Sequence, residues 1–214
     1  YSVSEDITAE SVISKYIESI GGAEKLNSIS SIEVKATANI QGTVLEMYSL
    51  KNDQNQSLME MSAMGMTIAR TVFNKYQGYN EVNGQKIPLT DIELEQAIIN
   101  SALFSELNYD FETVELVGTS VVNDEKAYEV KITDNKSVFY SVETGLKLKE
   151  LESQEIEGNL IIGEVFYNEY EEVDGILLPK EINQVSAAIP VPGGITFKST
   201  SIKLNVKTSD SDFN

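Results

Sequence analysis

The sequence predicts a mainly β, α+β protein: an antiparallel sheet of ten or eleven strands, strongly curved, with two helices against its open side. Three observations carry that expectation. Apolar residues alternate with polar ones through many short runs separated by Asn-Gly, Asp-Gly and similar turns, which is the pattern of a meander. Only two stretches switch to helical spacing. The first of these, residues 16–27 of YIESIGGAEKLN, stops at Gly21-Gly22 and leads straight into an alternating strand, whose sheet is the natural cover for its apolar stripe.

The first helix carries its own start and stop signals. Thr8 can cap it, Ile7 and Val12 fit a hydrophobic staple, and Gly21 suits the left-handed position after its end. Val12, Ile13, Tyr16, Ile17 and Ile20 form one face. From Ser31 the period changes to two, with Ile32, Val34, Ala36, Ala38 and Ile40 on one side of a half-buried strand. Gly42 turns the chain into TVLEMYSLKN (43–52), followed by SLMEMSAMG (57–65), MTIARTVFN (66–74) and the Asn83-Gly84 hairpin of YQGYNEVNGQK (76–86).

A second helix is expected over LTDIELEQAIINSALFSEL (89–107), where Thr90 and Glu93 make a capping box and Leu94, Ile98, Ala102 and Leu103 form a stripe. Strands resume in TVELVGTSVV (113–122), KAYEVKIT (126–133), SVFYSV (137–142), LKLKELESQ (146–154), LIIGEVFYNEYEEV (160–173), ILLPKEINQVSA (176–187) and ITFKSTSIKLNVKT (195–208). The acidic tail SDSDFN is expected to fray unless Phe213 docks. No repeat, linker or charge block divides the 214 residues, so one domain over 1–214 is expected.

Composition removes whole classes of function. The chain has 16 Lys+Arg against 34 Asp+Glu, a net charge of −18, which repels phosphate backbones, so no nucleic-acid partner is expected. There is no Cys and no His, which excludes thiol and Ser-His-Asp chemistry and typical zinc sites; no cofactor and no metal are expected. No run approaches the roughly 20 apolar residues of a membrane-spanning helix. The chain begins at Tyr1 without a basic and then apolar leader, so the expectation is a chain trimmed of its native N-terminus.

The acidic runs Glu150, Glu152, Glu155, Glu157 and Glu169, Glu171, Glu172 are read as solvated strand faces rather than glycosidase carboxylates. Asp210, Asp212 and Asn214 lack the rest of a calcium loop. The Ala187–Pro192 segment is apolar for a turn, either a rim that touches a ligand or a proline-blocked edge.

What stands out is methionine. Met59, Met61, Met64 and Met66 cluster, with Met47 nearby, and thioethers suit surfaces that accept variable apolar ligands. They could equally fill an irregular core. The candidate lining of an apolar cavity is Met47, Met59, Met61, Leu94, Ile98, Leu103 and Phe166.

Several stretches resemble one known family. YIESIGGAEKLNSISSIEVKATANIQG (16–42), SLMEMSAMGMTIARTVFN, VFYSVETGLKLKE and YNEYEEVDGILLPKEI occur in the order seen in the lipoprotein-sorting, LolA/LolB-like superfamily, nearest to its Bacteroidetes-type version. The resemblance implies a half-open antiparallel β-barrel closed by helices, with no enzymatic activity. It implies a hollow that takes lipid, lipoprotein acyl chains or another apolar ligand in the periplasm or cell envelope. Domains of this kind also follow insulinase-type zinc peptidases, which implies a second role as an accessory or interaction domain of such an upstream peptidase-like domain, with a filled core and no ligand. The family's lid-latching arginine has no match; Arg70 is the only arginine.

Overall fold

A computed structural model describes residues 7–156, 158–187 and 191–214. Thirteen strands form one open antiparallel sheet in the order β6-β5-β4-β3-β2-β1-β13-β12-β11-β10-β9-β8-β7, not closed into a barrel. The strands are β1 (Ser31–Ile40), β2 (Thr43–Asn52), β3 (Ser57–Ala63), β4 (Met66–Phe73), β5 (Gly78–Val82), β6 (Gln85–Pro88) and β7 (Glu115–Val122). They continue as β8 (Glu125–Thr133), β9 (Lys136–Ser141), β10 (Lys147–Ile156), β11 (Asn159–Val173), β12 (Ile176–Ser186) and β13 (Ile195–Leu204). The helices are α1 (Ala9–Ser19), α2 (Ala23–Asn27) and α3 (Asp91–Ile99). Contacts divide the chain into two compact units, residues 1–24 with 106–196 and residues 25–105 with 197–214.

In the first unit α1 starts as its sequence dictates. Thr8 Oγ1 accepts from the Ser11 amide at 3.1 Å and Ser11 Oγ accepts from the Thr8 amide at 3.0 Å, a capping box with serine in the glutamate's place. The face carrying Ala9, Val12, Ile13 and Tyr16 is buried, and Ile13 is fully so. Each such side chain contributes about 1.5–3 kcal/mol of transfer free energy. Polar bonds fix the helix ends: Lys15 Nζ donates to the Val142 and Glu143 carbonyls at 2.8 and 3.1 Å, and the Ile20 carbonyl accepts from the Leu177 amide at 3.0 Å. Gly21 (φ +138°) passes so near the β11–β12 turn that a Cβ there would lie 3.2 Å from the Gly175 carbonyl.

In the second unit the hairpins follow the turn chemistry. Gln41-Gly42, Met64-Gly65 and Asn83-Gly84 all have positive φ at both positions, the type I′ pattern. One sheet face packs Leu50, Leu58 and Val72 around Phe213, which is 1% exposed, so the C-terminal segment docks and does not fray. Asn74 Nδ2 donates to the Phe213 carbonyl at 3.2 Å. Ser31 Oγ donates to the Val206 carbonyl at 2.7 Å, holding the start of the same segment.

Three expectations need correction. The second helix ends at Ile99 instead of Leu107. Asn100 closes it, and Ser101 Oγ donates to the Ile98 carbonyl at 2.8 Å, a side-chain bond that competes with helix continuation. The apolar spacing past residue 100 belongs to a loop with buried Phe104 and a 3₁₀ turn at Ser105–Asn108. Helix α2 was not expected, and thirteen strands exceed ten or eleven because hairpins such as 78–88 contribute two each. Of the Ala187–Pro192 rim, residues 188–190 lie outside the described residues.

Candidate functional site

Strand register in the second unit assembles the candidate site. Ala36 faces Met47, Met47 faces Met61, Met61 faces Ala69 and Ala69 faces Val82, one row across five strands. The neighbouring row runs Ser49, Met59, Thr71, Asn80 and Ile87. Directly opposed residues in antiparallel strands share a face, so Met47, Met59 and Met61 lie on one surface with Val82 and Ile87. It is the face opposite Leu50, Leu58, Val72 and Phe213.

That surface is not sealed. Met59 is 44% exposed, Val82 51% and Ile87 55%, while Met47 and Met61 are half-buried. Helix α3 lies in the same unit with its capping box intact: Thr90 Oγ1 accepts from the Glu93 amide at 3.3 Å, and the Thr90 amide donates to Glu93 Oε2 at 2.8 Å. Yet no residue of α3 is buried. Leu94 and Ile98, one turn apart, are half-buried, and Ile92 and Ile99 are 75% and 61% exposed. Leu103 is half-buried in the loop after the helix. Arg70 is held by Glu60 on β3, 3.4 Å away.

Phe166 stands in the other unit, against Val122, Ala127 and Phe139, with the Lys149 ammonium 5.3 Å from its ring centre. It is therefore part of a local sheet cluster there.

The first unit contains a constellation that the sequence reading missed. Lys147 Nζ lies 2.5 Å from Glu106 Oε1 and 2.7 Å from Glu150 Oε1, and Lys136 Nζ lies 3.1 Å from Glu150 Oε2. Tyrosines surround the group. The Tyr16 and Tyr140 ring centres are 5.3 Å apart, the Lys147 ammonium sits 5.4 Å from the Tyr16 and Tyr167 rings, and Tyr170 donates to the Lys147 carbonyl at 2.9 Å.

Burial opposes the charge of Glu150, but Lys147 and Lys136 outweigh it and hold the carboxyl down at about 2. Burial likewise works against the Lys147 ammonium, and Glu106 overrides it, raising its pKa. Burial pushes Tyr16, Tyr140 and Tyr167 up. Glu150, expected on a solvated face, is thus a half-buried ion-pair member, a correction whose cause is the register shift between Lys147 and Lys149. That irregularity brings the side chains of Lys147 and Glu150 to the same face.

Of two cavities, that of the second unit is mainly polar, and that of the first mixes carboxylates with apolar side chains such as Ile161 and Val185. One of about 560 Å³ is lined by Gln54, Gln56, Asn74, Tyr76 and Asp210 in the second unit; one of about 260 Å³ is lined by Glu150, Glu152, Val165 and Gln184 in the first. Asp212 caps the C-terminal turn, accepting from the Ser209 amide at 2.7 Å, and Asp210 accepts from Gln56 at 3.1 Å.

No family model matches the chain, and no curated protein matches it significantly. Among solved structures it is similar to a LolA superfamily protein from Nitrosomonas europaea, with TM-score 0.61 and 15% identity over 97% of this chain and 98% of that one. A DUF1329 family protein from Desulfovibrio piger gives 0.57 and 13%, covering 96% of each chain. A putative outer membrane lipoprotein-sorting protein domain from Vibrio parahaemolyticus gives 0.51 and 11%, covering 94% of this chain and 97% of that one. The fold is the LolA-like open antiparallel sheet.

Proposed function

We propose that this chain is a non-enzymatic binding module of the bacterial envelope or periplasm. It holds lipid, a lipoprotein acyl chain or another apolar ligand on the methionine face of its second unit. One observation supports this most: Met47, Met59 and Met61 share a face with Val82 and Ile87, and that face is left partly bare. Flexible thioethers adapt to alkyl chains of varying shape. Covering the face with such a chain gains about 0.8 kcal/mol per buried methylene without any polar constellation. The LolA-like fold of the neighbours agrees with this use.

The test is titration of the purified chain with a fluorescent fatty acid, with competition by unlabelled diacyl lipid. Saturable uptake that weakens at least tenfold in Met59→Asp supports the reading. Uptake indifferent to Met59 and Met61 removes it. The second reading, an interaction module without a ligand, draws on the first unit, where Lys147, Glu106, Glu150 and their tyrosines fill the space under α1. Absence of any uptake by the folded chain favours that alternative.

A further inference from the structure

The sheet has two outer edges, and they are built differently. At one end, the type I′ turn Asn83-Gly84 (φ +50° and +81°) joins Val82 to Gln85. A two-residue turn makes its closing pair exchange both hydrogen bonds, and bonded and non-bonded pairs then alternate. Val82/Gln85 and Asn80/Ile87 are therefore bonded, and Glu81/Lys86 and Tyr79/Pro88 are not. On β6 the residues whose backbone groups face outward are Lys86 and Pro88. One brings a charge and the other has no N–H, on a strand of only four residues. This is a blunted edge.

The same reasoning applied to β7 gives the opposite result. The turn Asn123-Asp124 (φ +48° and +66°) closes Val122 onto Glu125. Val122/Glu125, Ser120/Ala127 and Gly118/Glu129 are bonded, so Thr119 and Val121 direct N–H and C=O away from β8. The register shift between Leu116 and Gly118 limits the regular edge to residues 118–122, which hold no charge and no proline. Val121 is 69% exposed and Val117 54%. Among the described residues no strand pairs with this edge.

We propose that the β7 edge, through Thr119 and Val121, is a docking site for an extended peptide segment of another protein, added as a further antiparallel strand. The site's charge selects the occupant. Asp110, Glu112, Glu115 and Asp124 are exposed around the two ends of the open stretch and outnumber the neighbouring Lys126 and Lys131, the latter paired with Asp134, on a chain of net charge −18. A second copy paired antiparallel about Ser120 would bring the Asp124 turn of each copy towards Glu115 of the other, with like charges meeting at both ends. The segment that fits has β-branched residues at its centre and Lys or Arg at each end. This site is separate from the methionine face and does not depend on its ligand.

The experiment uses a fluorescently labelled peptide, acetyl-Lys-Lys-Thr-Val-Thr-Val-Thr-Lys-Lys-amide, followed by anisotropy at low and high salt. Saturable binding that weakens with salt is expected, with at least a tenfold loss for the same peptide with Glu in place of Lys. Val121→Pro removes an outward N–H that makes no bond to β8, and is expected to lose at least tenfold in affinity. Val121→Lys keeps the backbone intact and repels the basic ends, so a similar loss there does not depend on the proline being tolerated. Ile98→Asp is expected to bind like the parent. Equal affinity of parent, Val121→Pro and Val121→Lys overturns the site, as does no binding by the parent. Equal affinity for the acidic peptide overturns the charge selection. Self-association in sedimentation velocity that Val121→Pro abolishes assigns the edge to a second copy and overturns the proposed partner.

Discussion

The two units start from similar materials and treat their interiors in opposite ways. Each has an antiparallel meander and a helix opened by a threonine capping box. In the first unit α1 buries Ala9, Val12, Ile13 and Tyr16, and the sheet meets it with Tyr140 and a lysine held between two glutamates. In the second, α3 only half-buries Leu94 and Ile98 and the methionine face stays partly bare. Local helix signals fix where a helix begins. They do not decide whether its apolar side is matched by protein or left for something else. A helix-covered face that is filled suits a rigid support, and a sheet face left partly bare suits a ligand.

The hardest blow to this contrast falls on Lys147. Replacing it with Ala leaves Glu106 buried without its cation, and half-buried Glu150 with Lys136 alone. Removing one partner of a buried ion pair costs about 3–5 kcal/mol. Thermal unfolding followed by circular dichroism is expected to show a loss of that size. Lys147→Met, which restores the side chain's bulk but not its charge, should recover little of it. A loss below about 1 kcal/mol would mean that the network is solvated, and the first unit would no longer count as filled.

A smaller effect of the same network follows from acidification. The Glu150 carboxyl falls from its ordinary 4.5 to about 2 in the folded chain. A depressed carboxyl stabilises the fold fully above its unfolded value, and that contribution is lost as pH falls from about 4.5 through about 2. The difference is worth about 3 kcal/mol. Stability measured by urea unfolding from pH 6 down to pH 2 should decline over that window, and Glu150→Gln should flatten the decline. An unchanged slope in that variant would place the acid sensitivity elsewhere.

These two predictions rest on residues that the sequence hid, for a physical reason. Glu106 and Lys147 are far apart in the chain, and their meeting depends on a 3₁₀ turn and a strand irregularity that no residue pattern announces. The signals that could be read were local. Thr8, Thr90 and Glu93 set helix starts, and Asn83-Gly84 and Asp174-Gly175 set hairpins because left-handed backbone selects those residues. Strict alternation put Met59 and Met61 on one face, as register confirms. Periodicity misled only past Asn100, where apolar residues pack from a loop and not from a helix. Whether the methionine face would be sealed is a property of the packed chain, not of any local pattern.

The smallest effect on stability is also the one that most sharpens the contrast. Ile98 sits half-buried on α3, a helix with no buried side chain. Ile98→Asp therefore puts a carboxylate where water can still reach it, and the fold should lose no more than about 1 kcal/mol, near the range for substitutions away from a core. The same change at Ile13, with no exposed surface, would place the charge in the core of the first unit and cost several times as much, about 4 kcal/mol or more. Ligand uptake should respond in the reverse sense. Ile98→Asp is expected to weaken the fluorescent fatty acid at least tenfold, because the charge must be desolvated when an alkyl chain arrives. If Ile98→Asp instead unfolds the chain as readily as Ile13→Asp does, α3 is core, and the contrast between the two units' helices is gone.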